Sequence, residues 1–313
     1  MNNFLIIAGK EFEDILHSGI FLTVLLLLLG LTATSTIVSS LVFKSQVSAV
    51  QKQSSSLPQL FPLNLLRGTM DYLEIVGALL GILLGSLTIA KEKNTQTLKL
   101  ILTRPVSRND ILFGKMLGNA IFIGIVMILV GLFILLGLVY IADVSLSLTE
   151  IVKLLLSLAM SWLYIMSFFS LATFITLFMK TLSNALLVAF TIWLVFVLIL
   201  PQIGDTMDPD NQVPGGFFAS IHFNKTQEKS VLASFSSYEN TRNFIEELSV
   251  TKQYERVCFA LLGIKPEFNG MQVKDILNQR WTEILLVTLF FVAGTLAASF
   301  ILTRKDILFW DYK

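Results

Sequence analysis

Apolar residues dominate six long stretches of the chain, and shorter polar segments separate them. A helix rises about 1.5 Å per residue, so about 20 apolar residues cross the roughly 30 Å hydrocarbon core of a membrane. The stretches lack the alternation of apolar and polar positions that is typical of barrel strands. The pattern predicts an all-α membrane protein with six transmembrane helices, at residues 20–43, 73–90, 111–142, 154–179, 185–200 and 284–302.

The first 18 residues have an amphipathic pattern. Apolar side chains recur at helical spacing, at Leu5, Ala8, Phe12, Ile15 and Leu16. Polar side chains lie on other faces, at Lys10, Glu13, Asp14 and His17. No small-residue cleavage site follows, so we expect residues 1–18 to be a retained helix along the membrane surface. The alternative is a cytosolic extension of the first span.

The segment 202–280 differs in composition from the spans. It holds 18 of the 45 charged side chains in 79 positions, which is a density typical of soluble domains. A helical pattern covers about 237–262, with a buried face expected from Phe244, Ile245, Leu248, Val257 and Leu261. We expect a small, mostly helical cap outside the membrane, too small for a catalytic domain. The other large outer loop, 44–70, is expected to be irregular because it contains prolines and a serine-rich patch.

The composition agrees with a membrane protein. Hydrophobic residues make up 54% of the 313 positions and charged residues only 14%, against roughly 25% charged residues in soluble domains. A water-soluble enzyme is therefore excluded, and a net charge of +1 gives no overall attraction to nucleic acid. The one cysteine, Cys258, cannot form a disulfide within the chain, and we expect a packed, unreactive thiol.

Basic residues are concentrated in one connection between spans. The loop between the second and third spans carries Lys91, Lys93, Lys99, Arg104 and Arg108. The next connection, 143–150, carries two acids and no basic residue. The positive-inside rule then places the basic loop and both termini in the cytoplasm, and segment 202–280 outside.

The sequence lacks the common catalytic motifs. It has no GxxxxGK[ST], HExxH, GxSxG or CxxC pattern, so the chain is not expected to be an enzyme or to hold a metal, and its two histidines are expected to be ordinary interfacial residues. Ionisable residues near spans lie close to span ends, at Asp71, Glu74, Lys115 and Glu283. An ion-coupled carrier needs carboxylates nearer the midplane, and only Asp71 and Glu74 are candidates. A membrane-embedded enzyme would have only these two and Glu283.

Glycines recur every four residues in the second span, at Gly77, Gly81 and Gly85. They line one helix face and allow another helix to approach closely. That helix belongs either to the same chain or to a second copy at a dimer seam. Gly114 and Gly118 repeat the pattern weakly.

The basic loop, 91–110, has a helical pattern of its own. Leu98, Ile101 and Leu102 fall on one face of a short helix, which Pro105 ends. Ser107 can then cap the helix that becomes the third span, with Asp110 three residues on. Taken alone, the loop is a positively charged cytoplasmic connection.

These loop residues resemble the signature of a known family. The pattern from Glu92 through Thr97-Leu98, Leu102, Arg104-Pro105-Val106-Ser107-Arg108, Ile111-Leu112 and Gly114-Lys115 is similar to type-2 ABC exporter permeases. The branch that matures the copper site of nitrous oxide reductase is most similar, and the tail Thr303–Ile307 resembles that branch too. Family members commonly have Gly-Thr where this chain has Gln96-Thr97, so its turn there is expected to be tighter or more helical. Segment 202–280 lies outside the resemblance.

The resemblance implies a permease in the cytoplasmic membrane of a prokaryote. Two copies would bind two copies of a separate ATPase, which would hold ATP and Mg²⁺, while this chain needs no cofactor. The loop would be the coupling helix, in contact with the ATPase through Glu92, Leu98, Ile101, Leu102, Arg104, Pro105 and Arg108. The chain then divides into the surface helix 1–18, spans one to five with the loop (19–201), the cap 202–280, and the last span with a basic tail (281–313).

A second interpretation explains the missing catalytic groups equally well. The chain could be a non-transporting assembly or anchoring subunit whose cap binds a partner protein outside the membrane. The sequence does not identify a substrate. Spans rich in Leu, Ile and Phe suit a hydrophobic or amphipathic cargo.

Overall fold

The computed structural model describes residues 3–53, 61–94, 107–209, 213 and 217–304. Every regular element in these residues is a helix. The α-helices are α1 (Asn3–Leu16), α2 (Gly19–Gln53), α3 (Arg67–Asn94), α4 (Arg108–Leu136), α5 (Leu148–Phe178), α6 (Leu182–Trp193), α7 (Leu200–Met207), α8 (Phe217–Ser220), α9 (Lys225–Ser234), α10 (Ser236–Leu248), α11 (Val250–Leu261), α12 (Val273–Gln279) and α13 (Trp281–Thr303). Short 3₁₀ helices lie at Pro62–Leu66 and Pro266–Phe268, and π-helices at Gly137–Ile141 and Leu194–Ile199.

Six helical stretches are long and apolar enough to cross a membrane, which confirms the predicted number of spans. They are Leu25–Ser48, Pro62–Lys91, Arg108–Ile141, Leu148–Phe178, Leu182–Met207 and Trp281–Thr303. The fourth span, α5, lies at the centre and packs against α3, α4, α6, α11 and α13. Three of its buried hydroxyl groups are satisfied within the helix, because Ser157, Ser161 and Thr176 each donate to the carbonyl four residues earlier.

The connection between the first and second spans is shorter than the sequence predicts. The sequence predicts an irregular loop over residues 44–70, but α2 continues to Gln53 and a 3₁₀ helix begins at Pro62. Two serines of α2 donate to carbonyls of the preceding turn, Ser45 to Val42 (2.7 Å) and Ser48 to Ser45 (2.8 Å). These bonds occupy the serine hydroxyls without breaking the helix, so a polar sequence extends the first span.

The fifth span passes through Pro201 without ending. A proline inside a helix cannot donate a backbone hydrogen bond and its ring collides with the preceding turn. A π-helix, Leu194–Ile199, widens the helix just before this position, and α7 then begins with Pro201 in its first turn. The span therefore reaches Met207, beyond the predicted end at residue 200.

Helices α10 and α11 form a hairpin that enters the bundle beside the fifth span; we call it the re-entrant hairpin. The hydroxyl of Tyr238, near the start of α10, donates to the carbonyl of Met207 at 3.0 Å. The hydroxyl of Ser249, at the turn, donates to the carbonyl of Phe196 at 2.7 Å. Between Met207 and Phe196 the fifth span descends by about 16 Å at about 1.5 Å per residue, so the turn lies well inside the bundle.

The second arm of the hairpin, α11, returns along α5. The hydroxyls of Thr251 and Tyr164 lie 3.0 Å apart, and one turn later those of Tyr254 and Ser161 lie 2.8 Å apart. The rings of Tyr164 and Tyr254 stack with centroids 4.4 Å apart. Almost all of α11 is buried. It thus fills the space between spans instead of standing above them.

The outcome for the predicted cap is mixed. The helical pattern over 237–262 is confirmed, with a break at Ser249. The expected burial is correct for Val257 and Leu261, each 1% exposed, whereas Phe244 (61% exposed) and Leu248 (50% exposed) face outwards. The expectation is wrong for Phe244 and Leu248, because α10 turns charged pairs towards the bundle, whereas Ile245 is partly buried.

The helix expected at the N-terminus is present as α1, and it packs on α4. Ala8 and Ile15 are buried against the bundle. Leu5 and Leu16 are about half exposed, on a flank between the buried face and the polar residues. The helix thus has one face that packs on protein, one exposed apolar face and one polar face. This arrangement suits a helix at a membrane surface, where the apolar face contacts lipid and the polar face contacts water.

Consecutive spans run in opposite directions, as six crossings require. At one end of the bundle, the loop end, Lys91 of the second span lies 3.7 Å from Asp14 of α1. At the other end, the hairpin end, the guanidinium of Arg67 lies 5.5 Å from the ring centre of Phe259 in α11. The described ends of the basic loop and the re-entrant hairpin therefore lie at opposite ends of the molecule.

Candidate functional site

The candidate site is the loop between the second and third spans, together with the helices that hold its two ends. Residues 95–106 lie outside the described part of the chain, and five of the predicted contact residues are among them: Leu98, Ile101, Leu102, Arg104 and Pro105. Glu92 belongs to the last turns of α3, and Arg108 is the first residue of α4. The structure thus describes the two ends of the loop and the helices to which they are bonded; we call these the frame of the loop.

The first end of the loop is fixed by Lys93. Its ammonium group donates to the carbonyls of Thr176 and Met179, at the C-terminal end of α5. A cation is favourable there because the last carbonyls of a helix lack partners and carry its negative dipole end. Partial burial lowers the pKa of Lys93. The last turn of α3 is therefore tied to the central span.

The second end of the loop is fixed by three consecutive residues. Ser107 caps α4, accepting a hydrogen bond from the backbone N–H of Asp110 at 3.0 Å, as the sequence predicts. Arg108 donates to the carbonyl of Leu302 at 2.9 Å, and the side chains of Asn109 and Ser299 lie 2.9 Å apart. These two bonds join the start of the third span to the end of the sixth.

The surface helix α1 sits on two glycines of α4. A Cβ at Gly114 would lie 2.9 Å from the carbonyl oxygen of Phe4, and one at Gly118 would lie 2.7 Å from that of Ala8. Only glycine allows the two backbones to approach so closely. The weak glycine repeat in the sequence is thus the part of α4 on which α1 packs; we call Gly114 and Gly118 the glycine seat.

A buried ion pair lies beside this seat. The ammonium of Lys115 lies 2.7 Å from the carboxylate of Glu11 and donates to the carbonyl of Thr88 at 3.2 Å. The amide of Asn119 donates to the hydroxyl of Thr88, also at 3.2 Å. Lys115 therefore connects α1, the second span and the third span.

In the sequence, Lys115 stands out as a residue near a span end and as part of the family pattern, whereas Glu11, Thr88 and Asn119 do not stand out. One signal could have identified Glu11. It lies three residues after Ala8 and four before Ile15, so it is an acid on the buried face of an amphipathic helix. An acid on such a face needs a cationic partner.

The glycine stripe of the second span faces the fourth span of the same chain. A Cβ at Gly81 would lie 2.5 Å from the carbonyl oxygen of Ile165, and one at Gly85 would be closer still to that of Phe169. At Gly77 the neighbour is the side chain of Ile165. Of the two alternatives, the stripe therefore makes the internal contact, and its face is already covered.

The ionisable residues at the hairpin end are arranged as networks. Lys252 of α11 lies 2.9 Å from Asp205 and 2.7 Å from Glu255. Burial works to lower the pKa of Lys252, but these two carboxylates outweigh it and raise the pKa above its ordinary value. Asp71 and Glu74 of the second span lie near this network. Among the described residues, no three His, Cys, Asp or Glu side chains could together hold a metal ion.

The arrangement is suited to mechanical transmission. Both ends of the loop continue directly into membrane-spanning helices, and each end is bonded to a different neighbouring span. A displacement of Glu92 or Arg108 would therefore act directly on the second or the third span.

Comparison with known proteins identifies the family of the chain. No curated protein matches the sequence. The family model described as ABC-2 family transporter protein matches residues 5–307. Because that match covers nearly the whole chain, the protein belongs to the ABC-2 transporter family and is an integral membrane component of a transport system.

Proposed function

We propose that the chain is the permease subunit of an ATP-binding cassette exporter, coupled through loop 91–110 to a separate ATPase. Family membership implies an ABC ATPase partner in general. The observation that carries the proposal is the frame of the loop, in which Lys93 and Arg108 tie its two ends to carbonyls of the fourth and sixth spans. A soluble motor that moved the loop would thereby move four of the six spans.

In this proposal the loop helix docks on the ATPase through Leu98, Ile101 and Leu102. Arg104 and Arg108 steer or pair with acidic groups, and Pro105 keeps the break between the two helices rigid. ATP and Mg²⁺ belong to the partner, and this chain contributes no group to hydrolysis. Closure of two ATPase subunits would tilt the second and third spans and alternate access to a path between two permease copies.

We also propose the location and orientation. The chain lies in the cytoplasmic membrane of a prokaryote, with α1, the loop and both termini in the cytoplasm and the hairpin end outside. The concentration of basic residues in the loop supports this orientation. The hairpin between the fifth and sixth spans closes the outer end.

Coexpression with the candidate ATPase tests the coupling. The wild-type chain should copurify the ATPase, and Leu98→Asp with Arg104→Glu should lower either this copurification or the ATP turnover of the complex at least severalfold. Lys44→Ala is a control away from the loop, because Lys44 lies at the hairpin end, where it forms an exposed pair with Asp143. A wild-type chain that fails to bind the ATPase, together with loop variants that leave turnover unchanged, would contradict the proposal. It would favour the assembly or anchoring subunit instead.

A second copy of the permease is part of the proposal. Since the glycine stripe is covered by α5, the seam between copies uses another surface. A cysteine at Gly81 should not crosslink two copies, and efficient crosslinking there would contradict the internal contact.

The narrower assignment to the copper-site maturation branch concerns the cargo pathway. The loop pattern and the tail support it. The neighbouring coding sequences test it: an adjacent ATPase with proteins of nitrous oxide reductase maturation would agree, and companions of another pathway would contradict it.

A further inference from the structure

The surface helix α1 touches both helices that emerge from the loop. Asp14 lies 3.7 Å from Lys91, at the end of the second span. Glu11 lies 2.7 Å from Lys115, two turns into the third span. A relative movement of the two spans would therefore change the contacts of α1 with one or both of them.

The two ion pairs differ in how firmly they hold α1. The side chains of Lys91 and Asp14 are 69% and 45% exposed, and such pairs contribute little because water and salt screen them. The side chains of Lys115 and Glu11 are 5% and 12% exposed. Moving the two helices apart within the bundle would leave a buried charge without its partner, and this cost strongly disfavours their separation.

Close backbone packing surrounds the buried pair. The glycine seat at Gly114 and Gly118 brings α1 against α4, and the rings of Phe12 and Phe122 pack with centroids 6.5 Å apart. The pair lies in the middle of this contact. A helix held by backbone contact along its length and by a central buried charge pair moves with its support as one body.

We propose that α1 is part of the coupling machinery and that Lys115 is its positioning residue. By binding Glu11 and the carbonyl of Thr88 together, Lys115 fixes the angle between α1, the second span and the third span. Movement of the loop then reaches α1, which lies at the membrane surface, as well as the spans. This inference rests on the proposed coupling to an ATPase and adds a role for a helix outside the loop.

Spin labels can test whether α1 and the third span move as one body. Labels at the exposed positions Glu13 of α1, Phe113 of the third span and Leu187 of the fifth span, which is not tied to the loop, give two distances from α1. We expect the 13-to-113 distance to be the same without nucleotide and in the ATP-trapped complex, while the 13-to-187 distance changes. A 13-to-113 distance that changes between the two states of the wild-type chain would overturn the inference.

Variants of the pair supply a second test. Glu11→Gln and Lys115→Met should still copurify the ATPase but should lower ATP turnover of the complex by about fivefold or more, the lower range of typical coupling effects. They should also broaden the 13-to-113 distance. The swapped pair, Glu11→Lys with Lys115→Glu, should restore part of both, whereas a purely structural role would leave turnover per folded complex unchanged. Asp14→Asn is the control on the exposed pair and should behave like wild type.

The outcomes separate this inference from the proposed function. If the wild-type chain does not bind the ATPase, coupling itself fails. If it binds, and Glu11→Gln is folded and turns over ATP at the wild-type rate, coupling stands and the role of Lys115 is wrong.

Discussion

At the scale of single residues, small side chains and polar pairs determine how these helices meet. In lipid, apolar surface gives helices no preference for each other over acyl chains, so close packing and polar contacts decide the arrangement. Gly81 and Gly118 allow backbones to touch, and the pair Glu11–Lys115 fixes one of those contacts. The leucine-rich helix surfaces between these contacts do not determine which helices pack together.

The glycine positions give a prediction with an internal control. Gly81→Ala and Gly85→Ala should each destabilise the protein by about 1–3 kcal/mol, because the new methyl group would collide with a backbone carbonyl of α5 that cannot move aside. Gly30→Ala, in the first span, has open space around it and should be neutral or slightly stabilising. Thermal unfolding in detergent measures the difference. Equal effects at all three positions would show that α3 and α5 do not pack as described.

At the scale of elements, the re-entrant hairpin shows what local sequence patterns can and cannot predict. The six spans, the N-terminal helix and the N-cap at Ser107 follow from periodicity and from neighbouring residues, and the structure confirms them. The hairpin could not be predicted, because segment 202–280 has the charge density of a soluble domain. Its charges are instead paired and turned inwards: the side chains of Arg242 and Glu246 are only 17% and 16% exposed.

The same reason explains which parts of the candidate site were missed. A composition average counts Lys252 and Asp205 as two charges, although they lie 2.9 Å apart in the folded chain. Likewise Glu11 and Lys115 are distant in sequence and meet only when α1 docks on the third span. Contacts between remote residues require the fold, whereas helices and caps require only neighbours.

The stacked tyrosines provide a prediction for the hairpin. Tyr254→Ala should destabilise the protein by about 3–5 kcal/mol, because it removes a fully buried ring that stacks on Tyr164. Tyr254→Phe should cost about 1 kcal/mol, the contribution of its hydrogen bond with Ser161. Phe244→Ala, on the outer face of α10, should change little. Thermal unfolding of the three variants ranks them, and a mild effect of Tyr254→Ala would mean that α11 is not inserted between the spans.

At the scale of the whole molecule, the two ends of the bundle differ in chemistry. Exposed aromatic residues mark the hairpin end of three spans: Tyr72, Tyr140 and Trp281 are 42%, 75% and 58% exposed. Such residues concentrate at the boundary between lipid and water. Basic residues mark the loop end, where Arg304 also lies over the ring of Phe300. The aromatic residues indicate where the membrane ends, and in the proposed orientation the loop end faces the cytoplasm.

Cysteine labelling tests this orientation without replacing the native cysteine. Cys258 is fully buried, and burial raises its pKa, so at neutral pH it stays a protonated, inaccessible thiol. In intact spheroplasts, a membrane-impermeant maleimide should label Asn240→Cys in the hairpin but not Glu13→Cys in α1. Permeabilisation should expose position 13, and the wild-type chain should react only after denaturation. Labelling of position 13 before position 240 would reverse the orientation and place the loop on the side that an ATP-dependent motor cannot reach.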